Sequence, residues 1–123
     1  MAKGPILIVE DHPLNRELLA APLEAAGYTV LQADTGLDLL ARVQTERPAL
    51  ILMDLQMPQL DGFTLVRQLK AEPLTRGVPI VAITAYAQPE AQARALEVGC
   101  VGYFSKPLDT ERLVQTVALL LEQ

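Results

Sequence analysis

The chain has 123 residues, half of them hydrophobic and 4% aromatic, with no tryptophan and a formal net charge of -5. That length fits one domain around one core, and an acidic, aromatic-poor chain argues against a nucleic-acid groove or an anionic membrane surface as partner. A single cysteine, Cys100, and the lack of a secretory leader or long apolar span lead us to expect a reducing cytoplasm. Cys100 itself, between Gly99 and an apolar run, reads as a small buried hydrophobe.

Residues 5–9 form a short apolar run ending in Glu10-Asp11, which reads as a buried central strand with two carboxylates at its end. Pro13 suits the first turn of a helix, and Leu14, Leu18, Leu19, Leu23 and Ala26 follow at helical spacing up to Gly27. Pro22 interrupts that helix by removing a backbone donor to the carbonyl of Leu18, at a cost of ~3 kcal/mol if nothing compensates. Residues 28–33 read as a strand towards the sheet edge. Asp34 or Thr35 then suits the cap of a second helix carrying Leu37, Leu40, Ala41 and Val43.

Residues 49–53 are the clearest buried strand, delivering Asp54 at its C-terminal end before Pro58 stops regular structure. Asp61 reads as the N-cap of a third helix with Phe63, Leu65, Val66 and Leu69, and residues 71–78 as a polar loop. A fourth strand, 79–83, ends in Thr84, and Pro89 opens a fourth helix running to about Val98. A brief fifth strand, 101–104, leads to Ser105-Lys106-Pro107. The last helix starts near Asp109 and turns Leu113, Val117, Leu120 and Leu121 inward. Strands alternating with helices in this way predict an α/β domain with a parallel sheet covered on both faces.

In such a sheet the polar residues at the C-terminal strand ends share one rim, the usual ligand edge of an open parallel sheet. Glu10, Asp11, Asp54, Thr84 and Lys106 all fall there. Three carboxylates brought together repel one another and need a cation to be tolerable. An all-oxygen set without histidine or cysteine clustering favours Mg²⁺. Charge distribution points the same way. Residues 1–61 carry nine acidic against four basic side chains, whereas residues 62–123 balance at six and six. A carboxylate beside Mg²⁺ and a lysine suits nucleophilic attack on phosphorus, with Lys106 and Thr84 stabilising negative charge on the transferred group.

The chain resembles the receiver domain of two-component response regulators over essentially its full length. The resemblance is carried by Ile8-Val9-Glu10-Asp11, Met53-Asp54-Leu55-Gln56-Met57-Pro58, Asp61-Gly62, Ile83-Thr84-Ala85 and Tyr103-Phe104-Ser105-Lys106-Pro107. It implies a flavodoxin-like five-stranded parallel sheet of order 2-1-3-4-5 with five helices on both faces. It also implies phosphorylation of Asp54 by a histidine kinase or phosphotransfer protein, and Mg²⁺ held by Asp11, Asp54 and the backbone carbonyl of Gln56, with Glu10 acting through water. Lys106 would contact the phosphoryl oxygens, the Lys106-Pro107 bond would be cis, and Thr84 and Tyr103 would move as a switch that alters the surface read by a downstream target protein. Such a domain assists its own phosphorylation and dephosphorylation without being an enzyme for an external substrate.

Tyr103 is equally legible as a core aromatic with a wet hydroxyl. His12 reads as an exposed loop residue, and Gln56 and Tyr86 are expected to flank the phosphoryl site and tune the lifetime of the phosphorylated state through water access. The chain is read as one receiver, residues 1–123, with no effector segment, similar to stand-alone cell-cycle receivers and to the receivers of hybrid histidine kinases. Val114, Ala118 and Leu121 follow i, i+4, i+7 spacing and suggest a partner or homodimer face. A flavin carrier is disfavoured by the Glu-Asp-His-Pro-Leu-Asn stretch after the first strand, and a Mg²⁺ phosphatase by Gln56 where a second aspartate would stand. An adaptor that never takes phosphate, or a receiver excised from a hybrid kinase, stays as the alternative.

Overall fold

The computed structural model describes residues 4–57, 60–85 and 89–122. Its main sheet contains β1 (Ile6–Val9), β2 (Val30–Ala33), β3 (Leu50–Asp54), β6 (Ile80–Thr84) and β7 (Gly102–Ser105), all parallel, in the order β2-β1-β3-β6-β7. Between β3 and β6 lie two two-residue strands, β4 (Gln56–Met57) and β5 (Leu60–Asp61), which pair antiparallel as a separate ribbon. With the ribbon set aside, the five sheet strands have the expected order 2-1-3-4-5. The helices are α1 (Pro13–Ala25), α2 (Leu39–Glu46), α3 (Gly62–Ala71), α4 (Pro89–Val98) and α5 (Thr110–Leu121).

The central strands are apolar at nearly every position because both faces are covered, and alternation divides them between two cores. Leu7, Val9, Ile51, Met53, Ile80 and Ala82 face one way, with Leu39 and Val43 of α2, Leu65, Val66 and Leu69 of α3 and Ala95 of α4. Ile6, Ile8, Leu50, Leu52, Val81 and Ile83 face the other, with Leu19 and Leu23 of α1 and Leu113, Val117 and Leu121 of α5. Tyr103 packs against the first core and Phe104 against the second.

Several local expectations are corrected. Helix α1 buries Leu19, Ala20 and Leu23, but Leu14 and Leu18 point outward at 62% and 59% exposure. Helix α2 starts only at Leu39, after Asp38 at φ 59, so neither Asp34 nor Thr35 caps it and Leu37 is exposed. The Thr35 hydroxyl instead accepts the Leu37 N–H at 3.2 Å, closing a local turn that competes with an earlier helix start. In α5, Leu121 is buried in the core and Val114 packs against it, so Val114, Ala118 and Leu121 do not form an open stripe; Leu119 is the exposed leucine there. Among the described residues, no helix is long and apolar enough to cross a membrane.

The sheet register positions the rim. Ala33, Val9, Met53, Ala82 and Tyr103 lie in one row across all five strands. The residues that follow in each strand therefore emerge together at the same edge.

Candidate functional site

Asp54 ends β3 and is only 3% exposed. Its Oδ1 accepts the backbone N–H of Gln56 at 2.9 Å, which fixes the carboxylate plane, and its Oδ2 faces the Lys106 ammonium at 3.3 Å. Glu10 follows β1 and is buried. Its Oε1 accepts from Lys106 Nζ at 2.9 Å and its Oε2 accepts the His12 N–H at 3.1 Å. Glu10, Asp11 and Asp54 each place a carboxylate oxygen within 4.8 Å of the others. Lys106 reaches both buried acids from the turn after β7, where its own N–H donates to the Thr84 carbonyl at 2.8 Å and its bond to Pro107 is cis, as expected.

Burial raises the Glu10 carboxyl above its ordinary value; hydrogen bonds from Lys106 and the His12 N–H oppose that rise, and the neighbouring Asp54 adds to it. Burial alone would lower the Lys106 ammonium, but its hydrogen bond to Glu10 and the charges of Asp54 and Glu10 outweigh it, so the lysine is held charged more firmly than usual. Among the described residues the rim thus brings together three carboxylates and a lysine in contact with two of them. An all-oxygen donor set of that charge matches a hard divalent cation.

The link from β3 to α3 supports this geometry. Gly62 stands so close to Leu55 that an added Cβ would lie 2.5 Å from the Leu55 Cα, so only glycine lets α3 start against the strand end. Asp61 caps α3 as expected, accepting the Phe63 N–H at 3.0 Å, and the Thr64 hydroxyl donates to it at 3.2 Å. Arg94 of α4 lies 4.1 Å from the centre of the Phe63 ring and 3.9 Å from the Asp61 carboxylate, tying α4 to the start of α3. The Gln56 side-chain oxygen accepts the backbone N–H of Ala85, directly after the buried Thr84.

Glu10, Asp11, Asp54 and Lys106 are therefore brought together, with Thr84 and Gln56 beside them. His12 is exposed and contributes only its backbone N–H to Glu10. Tyr103 is half-buried at the sheet edge. Pro58 and Tyr86 lie outside the described residues. Two contacts go beyond what the sequence leads us to expect. The Arg16 guanidinium donates to the carbonyls of Glu10 at 2.9 Å and Asp11 at 3.2 Å and to the Gln32 side chain at 3.3 Å, pinning the turn that carries both acids. The other is the Gln56 to Ala85 bridge. An arginine one turn into α1, below a strand end, is the available signal for the first.

Residues 6–118 match the family model of the response regulator receiver domain. The polar-differentiation response regulator DivK of Brucella anthropi is 37% identical over 112 residues, covering 91% of each chain. A putative response regulator from Chloroflexus aurantiacus has a TM-score of 0.91 at 32% identity, with 98% of both chains covered. The receiver domain of a sensor histidine kinase from Pseudomonas aeruginosa, described with a magnesium ion coordinated in its active-site cleft, has a TM-score of 0.88 at 32% identity over 99% of this chain and 100% of that one. This chain belongs to the response regulator receiver family, whose members are two-component signalling domains with an acidic, Mg²⁺-binding site.

Proposed function

We propose that the chain is a phosphoacceptor switch in which Asp54 takes a phosphoryl group from a phosphohistidine on a sensor kinase or phosphotransfer protein. The observation that carries this reading is the buried Asp54 carboxylate, held by the Gln56 N–H on one oxygen and faced by Lys106 on the other, among acids that suit a divalent cation. A carboxylate oxygen of Asp54 forms the new bond to phosphorus as the bond from phosphorus to the donor imidazole nitrogen breaks, and that nitrogen keeps the electron pair and takes up a proton.

Asp11, Asp54 and the Gln56 backbone carbonyl would hold Mg²⁺, with Glu10 close by. When bound, the ion neutralises part of the charge on the phosphoryl oxygens. Lys106, already in contact with Asp54, would stabilise the same oxygens, and the Thr84 hydroxyl would turn towards them. Tyr103 follows that movement and alters the surface of α4, β7 and α5 that a downstream protein reads. Phosphorylation thus acts on the protein itself and on no external substrate.

Calorimetric titration with Mg²⁺ tests the site. Wild type should bind the ion, while Asp11→Ala and Asp54→Ala should each weaken binding at least about tenfold, as loss of a charged ligand predicts. Wild-type protein that binds no Mg²⁺ would overturn the reading in favour of an adaptor that works without phosphorylation.

A further inference from the structure

We propose that the groove between the end of α2 and the 72–78 loop docks a partner protein, through a short segment in which one large apolar side chain stands between acidic residues.

The groove has a volume of about 320 Å³. Val43, Arg47 and Pro48 line it from α2 and the entry to β3, and Pro73, Leu74 and Val78 line it from the loop that leads to β6. It lies where β3 begins, whereas Asp54 ends that strand, so it sits at the opposite edge of the sheet, ~20 Å from the acceptor rim. An occupant there leaves the rim free.

Two features set it apart from a chance gap in the surface. Leu74 is 74% exposed, yet its loop is firmly braced. The buried Thr75 hydroxyl donates to the Leu69 carbonyl, and the N–H groups of Thr75 and Arg76 donate to the Glu72 carbonyl at 3.1 and 2.9 Å. The Lys70 ammonium donates to the carbonyls of Arg76 at 3.1 Å and Val78 at 2.9 Å. The leucine is thus displayed on an ordered turn, and little ordering remains to oppose binding. The second feature is Arg47, which follows α2 at φ 49, a left-handed position that favours glycine or asparagine. Strain kept at a side chain that lines a groove points to a use for that side chain.

Charge selects the occupant. Residues 42–48 and 70–78 carry Arg42, Arg47, Lys70 and Arg76 against Glu46 and Glu72, a local basic excess in a chain of net charge -5. Glu46 is taken up by Arg42 at 2.7 Å, while Arg47 and Arg76 are exposed and, among the described residues, form no ion pair. An apolar notch with a basic rim is complemented by an apolar side chain with acidic neighbours. A nucleic-acid backbone offers the charge without an apolar group to cover Leu74.

The probe is a set of short peptides, each with one central Leu, Phe or Met flanked on both sides by two acidic residues, titrated into ¹⁵N-labelled protein. NMR shifts should centre on the amides of Val43, Arg47, Leu74 and Val78. Leu74→Ser should weaken binding about tenfold, as loss of a buried leucine predicts. Arg47→Gly should weaken it roughly 2- to 5-fold, and because glycine suits the left-handed backbone, that fall reports binding and not misfolding. Peptides with lysine in place of the acids should not bind. The proposal is overturned if no acidic peptide shifts these amides at millimolar concentration, if the lysine peptides bind as well, or if either variant binds like wild type. Shifts of the same amides on concentrating the protein alone would assign the groove to a second copy of the chain and overturn it too.

Discussion

Arg16 reaches the site without touching a carboxylate. Its two hydrogen bonds to the Glu10 and Asp11 carbonyls hold the turn in which both acids stand, so Arg16→Met should loosen that turn while keeping most of the aliphatic stem. We expect a loss of about 1–2 kcal/mol in urea unfolding and weaker Mg²⁺ binding by calorimetry, since charged donors to carbonyls are worth that order. Unchanged Mg²⁺ affinity would reduce Arg16 to a purely structural role. Cys100 is the opposite case, a reactive residue type with no part in the site. Burial pushes its thiol up to about 11 from 9.0, so iodoacetamide at pH 8 should meet about 100-fold less thiolate than in an unfolded chain. Both states hold the proton below pH 9.0, and as pH rises towards 11 only the unfolded state loses it, so the stability that Cys100 contributes declines across that window. The acids and Lys106 are legible in the sequence because a charged residue that closes an apolar strand has to emerge at the rim of the sheet. The role of Arg16 is not, because its hydrogen bonds to backbone carbonyls leave no signature of paired residue types.

At the scale of elements, apolar runs mark the strands well, because strands covered on both faces cannot accommodate polar residues. Helix faces are less legible. Leu14 and Leu18 match helical spacing with Leu19 and Leu23, yet α1 turns them to solvent, since the sheet and α5 meet only the face carrying Leu19, Ala20 and Leu23. The β4–β5 ribbon is hidden from any pattern because two-residue strands have no periodicity to detect. Pro22 sits inside α1 and leaves the Leu18 carbonyl without its helical donor. As the Leu18 side chain is exposed, water can reach that part of the helix and moderate the cost. Pro22→Ala should restore the donor and stabilise the protein by about 1–2 kcal/mol, the helix gain less the added freedom of the unfolded chain. A lower urea midpoint in the variant would show that the proline ring packs favourably where it stands.

For the whole molecule, strand order cannot be derived from periodicity alone; the resemblance implies 2-1-3-4-5, and the observed parallel register matches it. That order places β1 and β3 side by side, so Glu10 and Asp11 meet Asp54, while β6 and β7 bring Thr84 and Lys106 to the other flank. Nothing in the primary sequence brings Lys106 close to Glu10, 96 residues earlier; the fold does so. The central claim is that this assembled rim makes Asp54 a phosphoryl acceptor. It is tested most directly by intact mass after incubation with acetyl phosphate, with and without Mg²⁺, for wild type and Asp54→Asn. The account predicts a single added phosphoryl group on wild type, lost when the ion is chelated and absent from Asp54→Asn. Equal phosphorylation of Asp54→Asn would contradict it.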